Sequence, residues 1–140
     1  MFANPSDEER AQLLKKAKNI AVVGMSDKPE RTSYMIAQAM QQAGYRIFPV
    51  NPKLTSPVLG EKPYASLKEI EEPIDIVNVF RRSEFVYPIA VEAVEVGAKA
   101  LWLQQGVVNE EAAAYAKEHG LLVVMDRCIK VEHALLKPLL

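Results

Sequence analysis

"IAVVGMSDKPERTSYMIAQAM", residues 20–40, decides the fold. It runs from an apolar strand through one glycine into an amphipathic helix, the junction at which many α/β proteins hold a phosphate. It contains neither the G-x-G-x-x-G of a dinucleotide site nor the G-K-[ST] of a nucleoside triphosphatase. Gly24 falls where the backbone must turn, and Ser26 and Ser33 carry hydroxyls that can donate to phosphate oxygens. One glycine in place of three predicts a longer, looser turn from Gly24 and Met25 to Thr32 and Ser33. Taken by itself, the segment also fits a plain strand-to-helix loop with helix-capping hydroxyls.

The same strand-then-helix pattern repeats along the chain. Short apolar runs stand at residues 19–24, 46–50, 75–80, 100–103 and 121–125. Most are nearly continuous rather than alternating, as expected of strands buried on both faces. Gly44, Gly97 and Gly120 each close a helical pattern just before a strand. Thr32 or Ser33 is placed to cap a helix through Gln42, and Asn109 one through His119. The segment Ser83 to Val96 reads as helical, its regular part starting near Pro88. Ser6 with Glu9, and Ser66 with Glu69, match the capping box and predict helices at 7–17 and 67–72. The proline-bearing stretch 51–63 reads as a surface loop. Alternating strands and helices predict an α/β domain over 1–140: a parallel five-stranded sheet in the order 3-2-1-4-5, with helices on both faces.

Composition narrows the function. Hydrophobic residues make up 49% and charged residues 25% of 140, the balance of a globular domain. A net charge of −1 argues against a broad nucleic-acid surface, so any anion site must be local. Cys128 is the single cysteine, which excludes a disulfide framework and a C-x-x-C zinc site. With only His119 and His133 as imidazoles, a metal centre is not expected. No apolar run approaches a membrane span, and the polar, acidic start is unlike a signal peptide, so a cytoplasmic location is expected.

In an open parallel sheet, ligands bind beyond the carboxyl ends of the strands. The segments that follow the strands carry Lys28, Arg31, Lys53, Arg81, Arg82, Arg127 and Lys130, seven of the seventeen basic residues. The acids there are Asp27, Glu30, Glu84 and Asp126, which leaves a local positive surplus suited to an anionic ligand. After the second strand an NAD site usually places an acid for the ribose hydroxyls. Here "PVNPK" offers the Asn51 amide, the flat face of Pro52 and the charge of Lys53. Lysine at that point suits a ribose phosphate, as in NADP or coenzyme A. A solvated Lys53 beside an Asn-Pro turn is the plainer alternative. Gln104, Gln105 and Gly106, after the fourth strand, form an uncharged loop.

The blocks "VVGMSDKPERTSY", "GYRIFPVNPK", "LGEKPYASL", "DIVNVFRRSE", "ALWLQQGVVNEEA" and "GLLVVMDRCIKVEH" together resemble the small stand-alone CoA-binding proteins. Those proteins are similar to the CoA-binding domain of the succinyl-CoA synthetase α-subunit. The resemblance runs from about residue 10 to 136, with the blocks in the family's order. It implies a Rossmann-like fold, with the pyrophosphate of coenzyme A near Gly24 to Ser33 and the phosphorylated ribose near Lys53. It also implies that the loop of Phe80, Arg81 and Arg82 lies near adenine or phosphate. Gln104, Gln105 and Gly106 fit either contacts to the pantetheine amides or an ordinary polar loop.

The synthetase needs a phosphorylated histidine on a further domain, for which this sequence has no room. His119 suits a helix C-terminus and His133 a packing role, so neither is expected to be catalytic. Trp102 reads as core. Cys128, between Arg127 and Lys130, fits either a thiol reactive towards the ligand's thiol or a small packing residue. The expectation is non-covalent binding of coenzyme A or an acyl-CoA without ligase activity. The alternatives are an NADP-binding oxidoreductase or redox sensor, and a ligand-free module for a protein partner or a second copy of the chain.

Overall fold

A computed structural model describes all 140 residues. The apolar runs form β1 (Asn19–Val23), β2 (Arg46–Val50), β3 (Ile76–Val79), β4 (Ala100–Leu103) and β5 (Leu122–Val124), all parallel. Around them lie α1 (Asp7–Lys16), α2 (Thr32–Gln42), α3 (Val86–Glu95), α4 (Glu110–Glu118) and α5 (Ile129–Leu135). Gly44, Gly97 and Gly120 all adopt positive φ before the strands they introduce. The Ser6–Glu9 capping box closes both ways, and the Asn109 side chain accepts from the Ala112 N–H. No helix is long and apolar enough to cross a membrane.

Three local expectations are corrected. The second capping box does not form: Leu67–Glu69 is a 3-10 turn, and the Glu69 carboxylate accepts from the N–H of Ala65 at 3.0 Å. Arg31, not Thr32 or Ser33, is the cap residue of α2, and no side chain caps that helix. The stretch 51–63 is not wholly irregular. Val58 and Glu61 exchange backbone hydrogen bonds at 3.0 and 2.9 Å around a Leu59–Gly60 turn. Both central residues of that turn have positive φ, as a two-residue hairpin requires.

The sheet is parallel and five-stranded as expected, but its order is 2-1-3-4-5 rather than 3-2-1-4-5. Handedness explains the difference. Helix α2 covers one face, while Leu67, Ile70 and Ile74 of the next connection pack on the other. Two successive right-handed crossovers on opposite faces must run in opposite directions across the sheet. The chain therefore returns past β1, and β3 pairs on its far side. This leaves β2 at an edge, where Pro49 is tolerated. The Pro49 carbonyl accepts from Tyr64 N at 2.9 Å on the open side, so its missing N–H falls there too. At the opposite edge, the Asn4 side chain mimics a strand: it donates to Met125 O at 3.0 Å and accepts from Met125 N at 2.8 Å.

Helices α1, α2 and α5 bury one face of the sheet and α3 and α4 the other, in two apolar clusters. At the amino edge, Asp75 Oδ2 accepts from the N–H groups of Lys18 and Asn19, each at 2.9 Å, and Lys99 Nζ lies 3.4 Å from Oδ1. Burial pushes the carboxyl up, but the two backbone donors and the Lys99 ammonium outweigh it and hold it below its usual range. A depressed folded value contributes stability that is complete above the unfolded value of about 4 and is lost as pH falls through the folded one. Asp75→Asn should therefore cost roughly 2 kcal/mol at pH 7, with a gap to the wild type that narrows below about pH 4. Urea titrations at pH 7 and pH 3 check this; a gap independent of pH contradicts it.

Candidate functional site

Between β1 and α2 the backbone turns at Gly24, whose N–H donates to Val50 O at 2.9 Å. The turn passes so close to β3 that a Cβ on Gly24 would meet Phe80 O at 2.4 Å, and its φ is +85°. Met25 is buried, and its carbonyl accepts from Asn51 Nδ2 at 2.9 Å. Asn51 Oδ1 in turn accepts from Lys53 N at 3.0 Å, so the amide foreseen as a ligand contact braces two turns. Ser33 Oγ accepts from Ser26 N at 3.0 Å, and Ser26 Oγ from Lys28 N at 3.1 Å. Both hydroxyls act as acceptors here, which leaves each O–H proton free to donate outward. The first-turn N–H groups of α2 lack a side-chain cap and open beside them.

These groups border a cleft of about 940 Å³ at the carboxyl ends of β1 to β4. Its position follows from the corrected strand order. Connections leave β1 towards β2 on one side and β3 towards β4 on the other, so the crevice lies at the β1/β3 switch point. Lys28, Arg31, Lys53, Arg81 and Arg82 all border it, with Asp27 and Glu30 as the acids. None of the five cations takes part in an ion pair, whereas Arg10, Arg46, Lys68 and Lys99 do. The Arg81 guanidinium lies 5.2 Å from the centre of the Phe85 ring, which steadies it without neutralising it. Helix N-terminus, free hydroxyl protons and unpaired cations together favour an anion.

Thr32, Phe80 and Gln105 line the same cleft. Pro52 does not: it faces an adjoining cleft of about 220 Å³ that includes Val23, Leu67 and Ile89. Arg81 borders both and joins them. Gly106 lies outside the lining, its N–H committed to Asp126 Oδ1 at 2.7 Å. Cys128 also lies outside it, partly buried against the α1–α2–α5 cluster, and so do Arg127 and Lys130. The reason is again the strand order, which puts β5 at the edge away from the switch point.

Trp102 is fully buried, with its indole N–H donated to Arg127 O at 2.9 Å. His119 terminates α4 with Nδ1 2.8 Å from Tyr115 O. His133 packs edge-on against Tyr45, and burial together with Lys137 holds its imidazole below the usual range. Neither histidine lines the cleft. Leu54 and Val107 line it although nothing in their sequence context marked them. No cluster of three or more His, Cys, Asp or Glu is placed to hold a metal ion.

A doubly wound parallel sheet with this crevice at its switch point defines a Rossmann-like α/β protein. Within that class the chain belongs to the CoA binding domain family, whose model matches residues 18–134. It is 56% identical over 134 residues to YneT of Bacillus subtilis, an uncharacterised protein, with 96% of this chain and 98% of YneT covered. It is 26% identical over 125 residues to the α-subunit of ADP-forming acetate–CoA ligase II of Pyrococcus furiosus; this match takes in 81% of the chain but spans only 27% of the subunit. A solved hypothetical protein of Pyrococcus horikoshii superposes with a TM-score of 0.91 at 35% identity, over 98% of each chain.

Proposed function

We propose that this chain binds coenzyme A or an acyl-CoA non-covalently, without chemistry of its own. The observation that carries the reading is the set of five unpaired cations around an uncapped helix N-terminus at the switch point. Membership of the CoA binding domain family supports it independently. In this reading the pyrophosphate sits against Gly24, Ser26 and Ser33 at the start of α2, and Lys28, Arg31 and Arg82 neutralise it. Lys53 takes the 3′-phosphate. Pro52 and the adjoining apolar cleft receive the adenine, with Arg81 between base and phosphates.

The test is a thermal-shift comparison of coenzyme A, 3′-dephospho-CoA, NADP and NAD on the wild type and on Lys53→Ala. A ligand at a hundred times its Kd stabilises the folded state by about 2.7 kcal/mol. Coenzyme A should stabilise most. Loss of the 3′-phosphate and Lys53→Ala should each weaken binding by roughly tenfold, and the two losses should not add, because they remove the same contact. A larger shift with NADP would assign the site to a redox cofactor. No shift with any of the four would assign the basic edge to a protein partner.

A further inference from the structure

The charges of this chain are divided across the sheet. Helices α3 and α4, which cover one face, carry Glu92, Glu95, Glu110, Glu111 and Glu118 against the single Lys117. On the other face, α5 and the 3-10 turn that follows it, Lys137–Leu139, hold one acid, Glu132, and it is buried against Arg10. Lys130 and Lys137 are exposed there and take part in no ion pair. The 3-10 turn packs on α1, whose last turn adds the exposed Lys15 and Lys16, while the acids of α1 stand in its first turn. Amid these lysines the surface is apolar. Val131 and Leu135, one helical turn apart on α5, are 50% and 69% exposed. Leu139 is 47% exposed, and Met35 of the neighbouring α2 is 48% exposed.

A surface of this kind calls for a partner that is both apolar and negative, and its composition says which. Protein interfaces are anchored by Trp, Tyr and Arg in pockets and are depleted of lysine. Here valine, leucine and methionine are ringed by lysine, and they stand out from a helix instead of lining either cleft described above. A second copy of the chain would set lysine against lysine. A bilayer containing anionic lipid meets both demands: its acyl region takes the aliphatic side chains, while lysine stems run along the apolar surface and carry their ammonium groups to the headgroups. We propose that the outer face of α5 is a docking surface for an anionic lipid bilayer, entered by Val131, Leu135 and Leu139 and held by Lys15, Lys130 and Lys137. The acidic α3–α4 face then points away from the membrane, so the two charge layers orient the molecule. The larger cleft opens at the carboxyl ends of the strands, beside this face and not on it, and docking leaves it accessible. The assignment does not rest on the coenzyme A reading.

The test is co-sedimentation at low ionic strength with vesicles of phosphatidylglycerol and phosphatidylcholine in equal parts, against vesicles of phosphatidylcholine alone. The wild type should partition at least about tenfold better onto the anionic vesicles and lose that preference as salt screens the lysines. A lysine near such a surface contributes roughly fivefold, so Lys130→Gln/Lys137→Gln should lower partitioning by at least about tenfold. Val131→Ser/Leu135→Ser should lower it as far with every lysine in place. All four side chains are exposed, so both variants should melt within about 3 °C of the wild type. Saturating coenzyme A should leave wild-type partitioning unchanged. A wild type that does not prefer anionic vesicles overturns the assignment, as do folded variants that partition like it. Displacement from the vesicles by coenzyme A also overturns it and gives the contact to the cations of the cleft. Self-association in sedimentation that Val131→Ser/Leu135→Ser abolishes would overturn it in favour of a second copy.

Discussion

Gly24→Ala is expected to lower the melting temperature by about 10 °C and to abolish the coenzyme A thermal shift. Two costs combine. Alanine at φ +85° takes on the left-handed penalty, roughly 1–2 kcal/mol. The added Cβ would also lie 2.4 Å from Phe80 O and 2.9 Å from Arg81 Cδ. The arginine side chain can swing away, but the Phe80 carbonyl belongs to the backbone at the end of β3, whose N–H bonds Val23 O at 2.8 Å. Overpacking against such a group costs roughly 1–3 kcal/mol, and a total near 3 kcal/mol in a domain of this size moves Tm by about 10 °C. Relief requires the turn to leave β3, which displaces Met25, Ser26 and the start of α2 together. Gly44→Ala isolates the first cost: φ there is +106°, with nothing within 4 Å of the added Cβ. It should shift Tm by less than half as much and leave ligand binding intact. Equal effects at the two positions would show that the approach of Gly24 to Phe80 is not tight.

The elements were largely legible because their signals are local. Each apolar run is a strand, and the capping residues Ser6 and Asn109 do what their sequence contexts require. The order of the strands was less accessible, since it depends on which face each connection covers. Leu67, Ile70 and Ile74 look alike whichever side of the sheet they bury. Pro49 was the available clue, because a strand that carries proline belongs at an edge, and 3-2-1-4-5 would have put β2 inside the sheet. The basic residues that border the cleft were legible from charge after β1, β2 and β3. Charge after β5 did not mark the cleft, because Arg127 and Lys130 follow an edge strand away from the switch point. Polar residues that act through other residues left no trace. Asn51 was foreseen as a ligand contact, yet its amide is engaged with Met25 and Lys53. Asn78, inside an otherwise apolar strand, gave no hint that it donates to Gln104 Oε1.

The other large effect lies outside the cleft. Arg10 of α1 places Nε 2.8 Å from Glu132 Oε1 of α5, with the Glu132 side chain 8% and the Arg10 side chain 12% exposed. The same guanidinium bonds Asp7 Oδ1 at 2.6 Å and Pro5 O at 2.5 Å, so one cation fixes α1, the preceding segment and α5. Arg10→Leu leaves a carboxylate buried without its partner, and breaking a pair of this kind costs roughly 3–5 kcal/mol. Glu132→Leu should be milder, because the arginine keeps Asp7 and Pro5 O as partners. The double variant Arg10→Leu/Glu132→Leu removes both charges and should be more stable than Arg10→Leu by about 1–2 kcal/mol, because no buried charge is left without its partner. Urea unfolding of the four proteins closes this cycle. A double variant no more stable than Arg10→Leu would mean that the arginine acts through its packing against α1, and that Glu132 is not the charge it was holding in the core.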